Sequence, residues 1–215
     1  MNKGSRRFRA LGLEKLERRV MLSADKLVEV ASDLPGDQYS ASEWHPSEWM
    51  VHIADDSKIS ELNIPGTHDT MATPETVGLP DWGYSNAAAC QDLGLRDQLD
   101  IGIRFLDIRC WRTISGDITI HHSTVYLCDF EHVLDTVVEF LDKHPSESVI
   151  MSLKKEGGIH PFDDVDFAYS MDHYLQSDGY GDYFWRDPDT NDFPDRMPTL
   201  GEIRGKIVIL RRYEI

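Results

Sequence analysis

Ile64-Pro65-Gly66-Thr67-His68-Asp69 closes a short apolar run with a proline–glycine break and sets an imidazole and a carboxylate directly after it. Four further strand-like runs end in charged or imidazole groups: Phe105-Leu106-Asp107-Ile108-Arg109, Ile120-His121-His122, Ser152-Leu153-Lys154-Lys155-Glu156 and Leu210-Arg211-Arg212-Tyr213. Functional groups gathered at the C-terminal ends of successive parallel strands mark the mouth of a TIM-type (β/α) barrel. The chemistry is therefore sought at these five strand ends.

Helix signals alternate with the strands. A first strand is expected at Lys58–Ile64, then a helix from about Asp92 to Leu99 with Leu95 and Leu99 on one side, then a strand at Ile101–Arg109. Ile118–His122 follows as a third strand. The clearest helix runs from Asp129 as N-cap to His144, with Phe130, Val133, Leu134, Val137, Val138 and Leu141 along one face and Pro145 as its stop. Ser148–Lys155 is the fourth strand, residues 157–199 an acidic and aromatic excursion, and Gly205–Leu210 the fifth strand. Alternating β and α units predict a parallel sheet with crossover helices. A closed barrel needs about eight strands, so the expectation is an incomplete barrel, a fragment or one completed by another segment or chain, with its first and fifth strands as open edges.

Because alternate residues of a strand face opposite sides, Phe105, Asp107 and Arg109 share one face while Leu106 and Ile108 take the other. By the same parity Lys154 points inward with Ser152 and Glu156, and Arg212 inward with Val208 and Leu210. Several charged side chains then converge at one mouth.

The 215 residues carry a formal charge of −16. Residues 1–24 hold seven Lys or Arg against two Glu, a balance of +5, which leaves −21 on the remainder. So acidic a body argues against nucleic acid as a partner. No run of about 18 apolar residues is present to span a membrane. Cys90, Cys110 and Cys128 show neither a disulfide framework nor zinc spacing and read as three partly buried thiols, with one bridge left open for an exported protein. Three regions are expected: a basic tail at 1–24, a linker at 25–48 and a catalytic domain at 49–215.

Two histidines, cationic side chains and several carboxylates suffice to cleave a phosphodiester by general acid–base catalysis. One imidazole takes the nucleophile's proton, another protonates the leaving oxygen, and a guanidinium stabilises charge on the non-bridging oxygens. His68, His122 and Arg109 fit these roles, histidine being the side chain that ordinarily titrates near neutrality.

The Ile-Pro-Gly-Thr-His-Asp run, Gly102-Ile103-Arg104-Phe105-Leu106-Asp107-Ile108-Arg109, the His121-His122 pair, Pro145-Ser146-Glu147 with Met151–Glu156, and Gly205–Val208 ending in Arg212-Tyr213 occur in one order from about Trp49 to Tyr213. Together they resemble the X domain of bacterial phosphatidylinositol-specific phospholipase C. The resemblance implies that His68 deprotonates the inositol 2-hydroxyl, which attacks the adjacent phosphorus, and that His122 protonates the departing diacylglycerol, leaving inositol 1,2-cyclic phosphate. It implies that Arg109 binds the phosphoryl oxygens, that Asp69 and Asp107 orient or charge-balance the site, and that Lys154, Glu156 and Arg212 bind inositol hydroxyls. Phosphatidylinositol or a related inositol phosphodiester is then the substrate, met transiently at a membrane surface.

No cofactor is expected. Animal relatives hold calcium with a carboxylate where Arg109 stands here, and a guanidinium repels such an ion while replacing its charge beside phosphate; metal-independent activity follows. The segment Leu16–Asp25 resembles a signature at the start of many exported bacterial proteins, which implies export. Two other readings are an inactive half barrel that binds inositol phosphates or assembles with a partner, and, less well matched, a glycerophosphodiesterase, which would carry a His-Arg pair where Thr67-His68-Asp69 stands.

Overall fold

The computed structural model describes residues 44–77, 88–156, 164–176, 179–186 and 196–213. The basic tail, its export-type signature and the linker up to residue 43 lie outside them. In the unit Trp44–Ile215 six strands form one sheet: β1 (Gly66–Thr67), β2 (Phe105–Arg112), β3 (Ile118–His122), β4 (Val125–Asp129), β5 (Val149–Lys155) and β6 (Ile207–Arg212). The helices are α1 (Leu95–Asp100), α2 (Phe130–Lys143), α3 (Asp164–Gln176) and α4 (Leu200–Ile203).

β1, β2, β5 and β6 are parallel neighbours in chain order. This is the arrangement of consecutive strands in a TIM-type barrel wall, here an open sheet. β3 departs from expectation: it pairs antiparallel with β2 and forms a hairpin with β4, a strand not foreseen. Only residues 113–117 separate β2 from β3, too few for a parallel crossover, and Gly116 turns them at φ 103°. The expected first strand is also different. Ile59–Glu61 is a 3₁₀ turn, and only the two residues past Pro65 pair with β2, because Pro65 has no N–H and instead offers its carbonyl to Arg104 and Phe105.

Strand parity separates two cores. Leu106, Ile108, Val149, Met151, Leu153 and Ile207 pack outward against Phe130, Val133, Leu134, Val137 and Phe140 of α2 and Phe167 and Met171 of α3. Inward, at the N-terminal ends of the strands, Ile150 and Val208 meet Met50, Ile59, Leu200, Ile203 and Trp185. Trp185 is only 7% exposed and belongs to this core. Asp129 stands at the N-cap of α2, but its side chain makes no cap bond and accepts from the Tyr126 hydroxyl at 2.9 Å instead.

The closed end of the sheet is fastened by Arg104 and Glu147, both wholly buried. Arg104 Nε donates to Glu147 Oε2 at 3.0 Å, Nη1 to the Leu99 and Ile103 carbonyls, and Nη2 to the Ser47 carbonyl. Glu147 Oε1 accepts the Met50 N–H at 3.0 Å. The Phe140 ring lies 4.5 Å from the guanidinium carbon. Removing one partner of such a pair leaves an uncompensated buried charge, at about 3–5 kcal/mol. Glu147→Ala is therefore expected to lower the unfolding free energy by about 3–5 kcal/mol, and the urea midpoint in proportion, whereas Glu139→Ala, which breaks exposed contacts to Arg96 and Lys143, should barely move it; equal shifts would disprove the assignment.

Candidate active site

The turn after β1 opens the mouth. Gly66 is needed there because a Cβ would stand 2.8 Å from the Cβ of Phe105. His68 projects outward with its side chain 68% exposed. Asp69 then adopts φ 48°, a left-handed conformation that Asp and Asn tolerate better than most residues, and this folds its side chain inward to 1% exposure. The turn is pinned to β2: the Asp69 N–H donates to Asp107 Oδ2 at 3.1 Å, the Thr70 N–H to the Asp107 carbonyl at 3.0 Å, and the Asp107 N–H to Thr70 Oγ1 at 2.9 Å.

Two glutamines complete the support. Gln98 of α1, buried, accepts from Thr67 Oγ1 at 2.8 Å and donates to the carbonyls of Thr70 and Leu93. Gln91 donates to the His68 carbonyl at 2.6 Å. Sequence reading passed over Thr70, Gln91 and Gln98; the available signal was Gln98 itself, a polar residue on the Leu95/Leu99 face of its helix.

From β2, Asp107 and Arg109 face the mouth, as parity requires. Arg109 Nη2 donates to Asp107 Oδ2 at 3.1 Å, Nη1 to Glu156 Oε1 at 2.9 Å, and Nε lies 3.5 Å from Asp69 Oδ2. Lys154 Nζ shares Glu156 Oε1 at 3.1 Å, and Arg212 Nη1 reaches Asp107 Oδ1 at 3.1 Å. His68 Nδ1 is 3.2 Å from Asp107 Oδ2 and 3.3 Å from Arg109 Nη2, so it either donates to the first or accepts from the second.

The hairpin supplies His122, whose Nε2 lies 3.7 Å from Asp69 Oδ2. A bulge between Ile120 and His121 resets the pairing with β4, and His121 packs beside Trp111, ring centroids 4.6 Å apart, with Nε2 against Thr119 Oγ1. His68, Asp69, Asp107, Arg109, His122, Lys154, Glu156 and Arg212 thus form one contiguous cluster. An open cleft of about 400 Å³ is lined by Gly66, Thr67, His68, Asp107 and Arg212 over Ile64 and Phe105.

The two central carboxylates are tuned apart. Burial pushes the Asp69 carboxyl up, and the Arg109 and His122 charges only partly oppose it, so its pKa stands above the ordinary value. Burial acts on Asp107 too, but there the Asp69 N–H and the Arg109 guanidinium outweigh it and hold the carboxyl low.

Parallel strands in chain order, with acid–base groups and cations crowded at their C-terminal ends, are the wall and mouth of a TIM-type barrel. The family described as "Phosphatidylinositol-specific phospholipase C, X domain" matches residues 62–213; the chain belongs to this family. A "1-phosphatidylinositol phosphodiesterase" of Listeria monocytogenes is 33% identical over 187 residues, covering 82% of this chain and 55% of that protein. One of Staphylococcus aureus is 31% identical over 173 residues, covering 78% and 51%. The solved phosphatidylinositol-specific phospholipase C of L. monocytogenes superposes with a TM-score of 0.65 at 34% identity, over 79% of this chain and 57% of that one. The chain spans about half the length of the curated relatives it matches.

The opposite tuning of the two carboxylates has opposite consequences for stability. Asp107, held low, stabilises the fold above the ordinary carboxylate pKa and loses this as the pH falls through its folded value. Asp69, held high, carries a cost that sets in as the pH rises through its folded value. At pH 7 Asp107→Asn should lower the urea midpoint and Asp69→Asn raise it; as the pH falls the Asp69 difference fades first, from above the ordinary carboxylate value of about 3.9, and the Asp107 difference fades below it; shifts of the same sign would contradict the electrostatics.

Proposed function

We propose that the chain cleaves phosphatidylinositol, or a closely related inositol phosphodiester, by attack of the inositol 2-hydroxyl on the adjacent phosphorus. The products are inositol 1,2-cyclic phosphate and diacylglycerol. The observation that carries this reading is the pairing of two imidazoles with two different carboxylates, His68 with Asp107 at 3.2 Å and His122 with Asp69 at 3.7 Å, around one guanidinium.

His68, the more exposed ring, removes the 2-hydroxyl proton. His122, on the hairpin, returns a proton to the diacylglycerol oxygen as its bond to phosphorus breaks. Arg109 is held on both sides by Asp107 and Glu156, so its remaining donor directions are fixed before a phosphoryl group arrives. Lys154, Glu156 and Arg212 ring the same mouth and suit recognition of the vicinal hydroxyls. Since nucleophile and phosphorus belong to one substrate molecule, the site needs to orient rather than to gather reactants.

The guanidinium also supports a reaction that needs no divalent ion, as it supplies positive charge where a hard cation would need oxygen ligands. Contact with the bilayer is expected to be transient, made where the lipid substrate is met. Export rests on the Leu16–Asp25 signature. The competing reading, a chain that binds inositol phosphates without turning them over, draws on the open sheet among the described residues.

Release of diacylglycerol and cyclic inositol phosphate from phosphatidylinositol micelles, in chelator, decides between them. Turnover is expected in chelator, falling by about 10²–10⁴ in His68→Ala and His122→Ala and by about 10² in Arg109→Lys, which loses the guanidinium fork. Turnover lost in chelator would overturn the metal-independent mechanism. A folded chain that binds inositol phosphates without turnover would establish the competing reading.

A further inference from the structure

Cys90 stands exposed at the rim of the mouth, and neither the fold nor the proposed reaction uses its thiol. Its Sγ, a ring nitrogen of His68 and a carboxylate oxygen of Asp69 all lie within 4.8 Å of one another. The backbone holds the thiol there, because the N–H groups of Cys90 and Gln91 both donate to the Ala72 carbonyl, at 2.7 and 3.1 Å, and the Gln91 side chain donates to the His68 carbonyl.

Asp69 supplies an independent observation. Both of its carboxylate oxygens are buried without a hydrogen-bond partner; the nearest cations, Arg109 Nε and His122 Nε2, stand at 3.5 and 3.7 Å. A buried carboxylate in that condition is costly, and an ion is one of the few things that satisfies it. One thiolate, one imidazole and one carboxylate form the mixed donor set of a borderline-soft cation, unlike the all-oxygen shells of calcium and magnesium. Tetrahedral zinc at ordinary bond lengths separates its ligand atoms by about 3.3–3.6 Å. The exposed His68 and Cys90 side chains can close that difference by rotation, while the Arg109 guanidinium stays paired with Asp107 and Glu156, which Arg212 and Lys154 share.

We propose that Cys90, His68 and Asp69 bind a Zn²⁺-class cation, with a fourth position open to water, and that the bound ion blocks the active site. Binding displaces the thiol proton to solvent and occupies a lone pair of His68 while engaging the carboxylate that faces His122. The blockade rests on the reaction proposed above; the binding does not.

Co²⁺ titration of the full chain, with Zn²⁺ as competitor, tests the binding directly. About one equivalent is expected to give a thiolate-to-cobalt charge-transfer band in the near ultraviolet, bleached by Zn²⁺ and absent in Cys90→Ser and His68→Ala, with Zn²⁺ affinity at least about tenfold weaker in Cys90→Ser. The far-ultraviolet dichroism of each variant checks that it is folded. No band in the parent chain, or one that survives in folded Cys90→Ser, would overturn the site. In the phosphatidylinositol assay micromolar Zn²⁺ should inhibit the parent chain and spare Cys90→Ser; equal inhibition of both would overturn the blockade while leaving the spectroscopic result to stand.

Discussion

The Arg104–Glu147 pair is the fixed point of this structure. Both side chains are wholly buried, so their charges are tolerable only because each is met by the other and by carbonyl or N–H groups from two segments, residues 47–50 and 99–103. Arg104 ends the approach to β2 and Glu147 the approach to β5, so the pair sets the level at which these strands begin. The Ile150 N–H bonds to the Arg104 carbonyl at 2.8 Å, and the register then runs Phe105 with Ile150, Asp107 with Ser152 and Arg109 with Lys154. A slip of one residue would turn Asp107 and Arg109 into the helix-facing core. The ion pair at the closed end therefore governs which side chains meet at the open end.

At that open end Asp107 acts as a hub. It accepts from the Asp69 backbone, Arg109 and Arg212 and lies against His68. Its charge is well compensated, while that of Asp69 is not. The fold thus keeps one carboxylate comfortably ionised and holds another under electrostatic strain within one turn. Such unequal neighbours are common where proton transfer is catalysed, since acid and base must differ in proton affinity.

Much of this was legible in the chain. Strand parity put Asp107, Arg109, Lys154 and Arg212 on one side, because period-two alternation survives any error in strand ends. The order of the motifs identified the family. The α2 face was readable from its apolar spacing, although Phe140 was missed and Val138 is only partly buried. What local pattern could not supply was pairing direction: Ile118–His122 looks like any buried strand until the five-residue connection before it is weighed. Nor could it show that Lys58–Ile64 gives up pairing to a 3₁₀ turn, or that Gln98 reaches into the Thr67–Thr70 turn. Those outcomes depend on contacts between residues far apart in sequence.

The hairpin has a mechanical consequence. Its first strand pairs with the upper half of β2 and its second returns along the first, outside the row of parallel strands, so His122 rides on a ribbon whereas His68 is carried by the wall. The gap between the rings is governed by how that ribbon coils over the mouth, a quantity that barrel closure does not constrain. Ser123 and Thr124 form the tip between the two strands, with Ser123 at φ 55°, so changes of length or residue there act on the ribbon and on the placement of His122 with the wall intact.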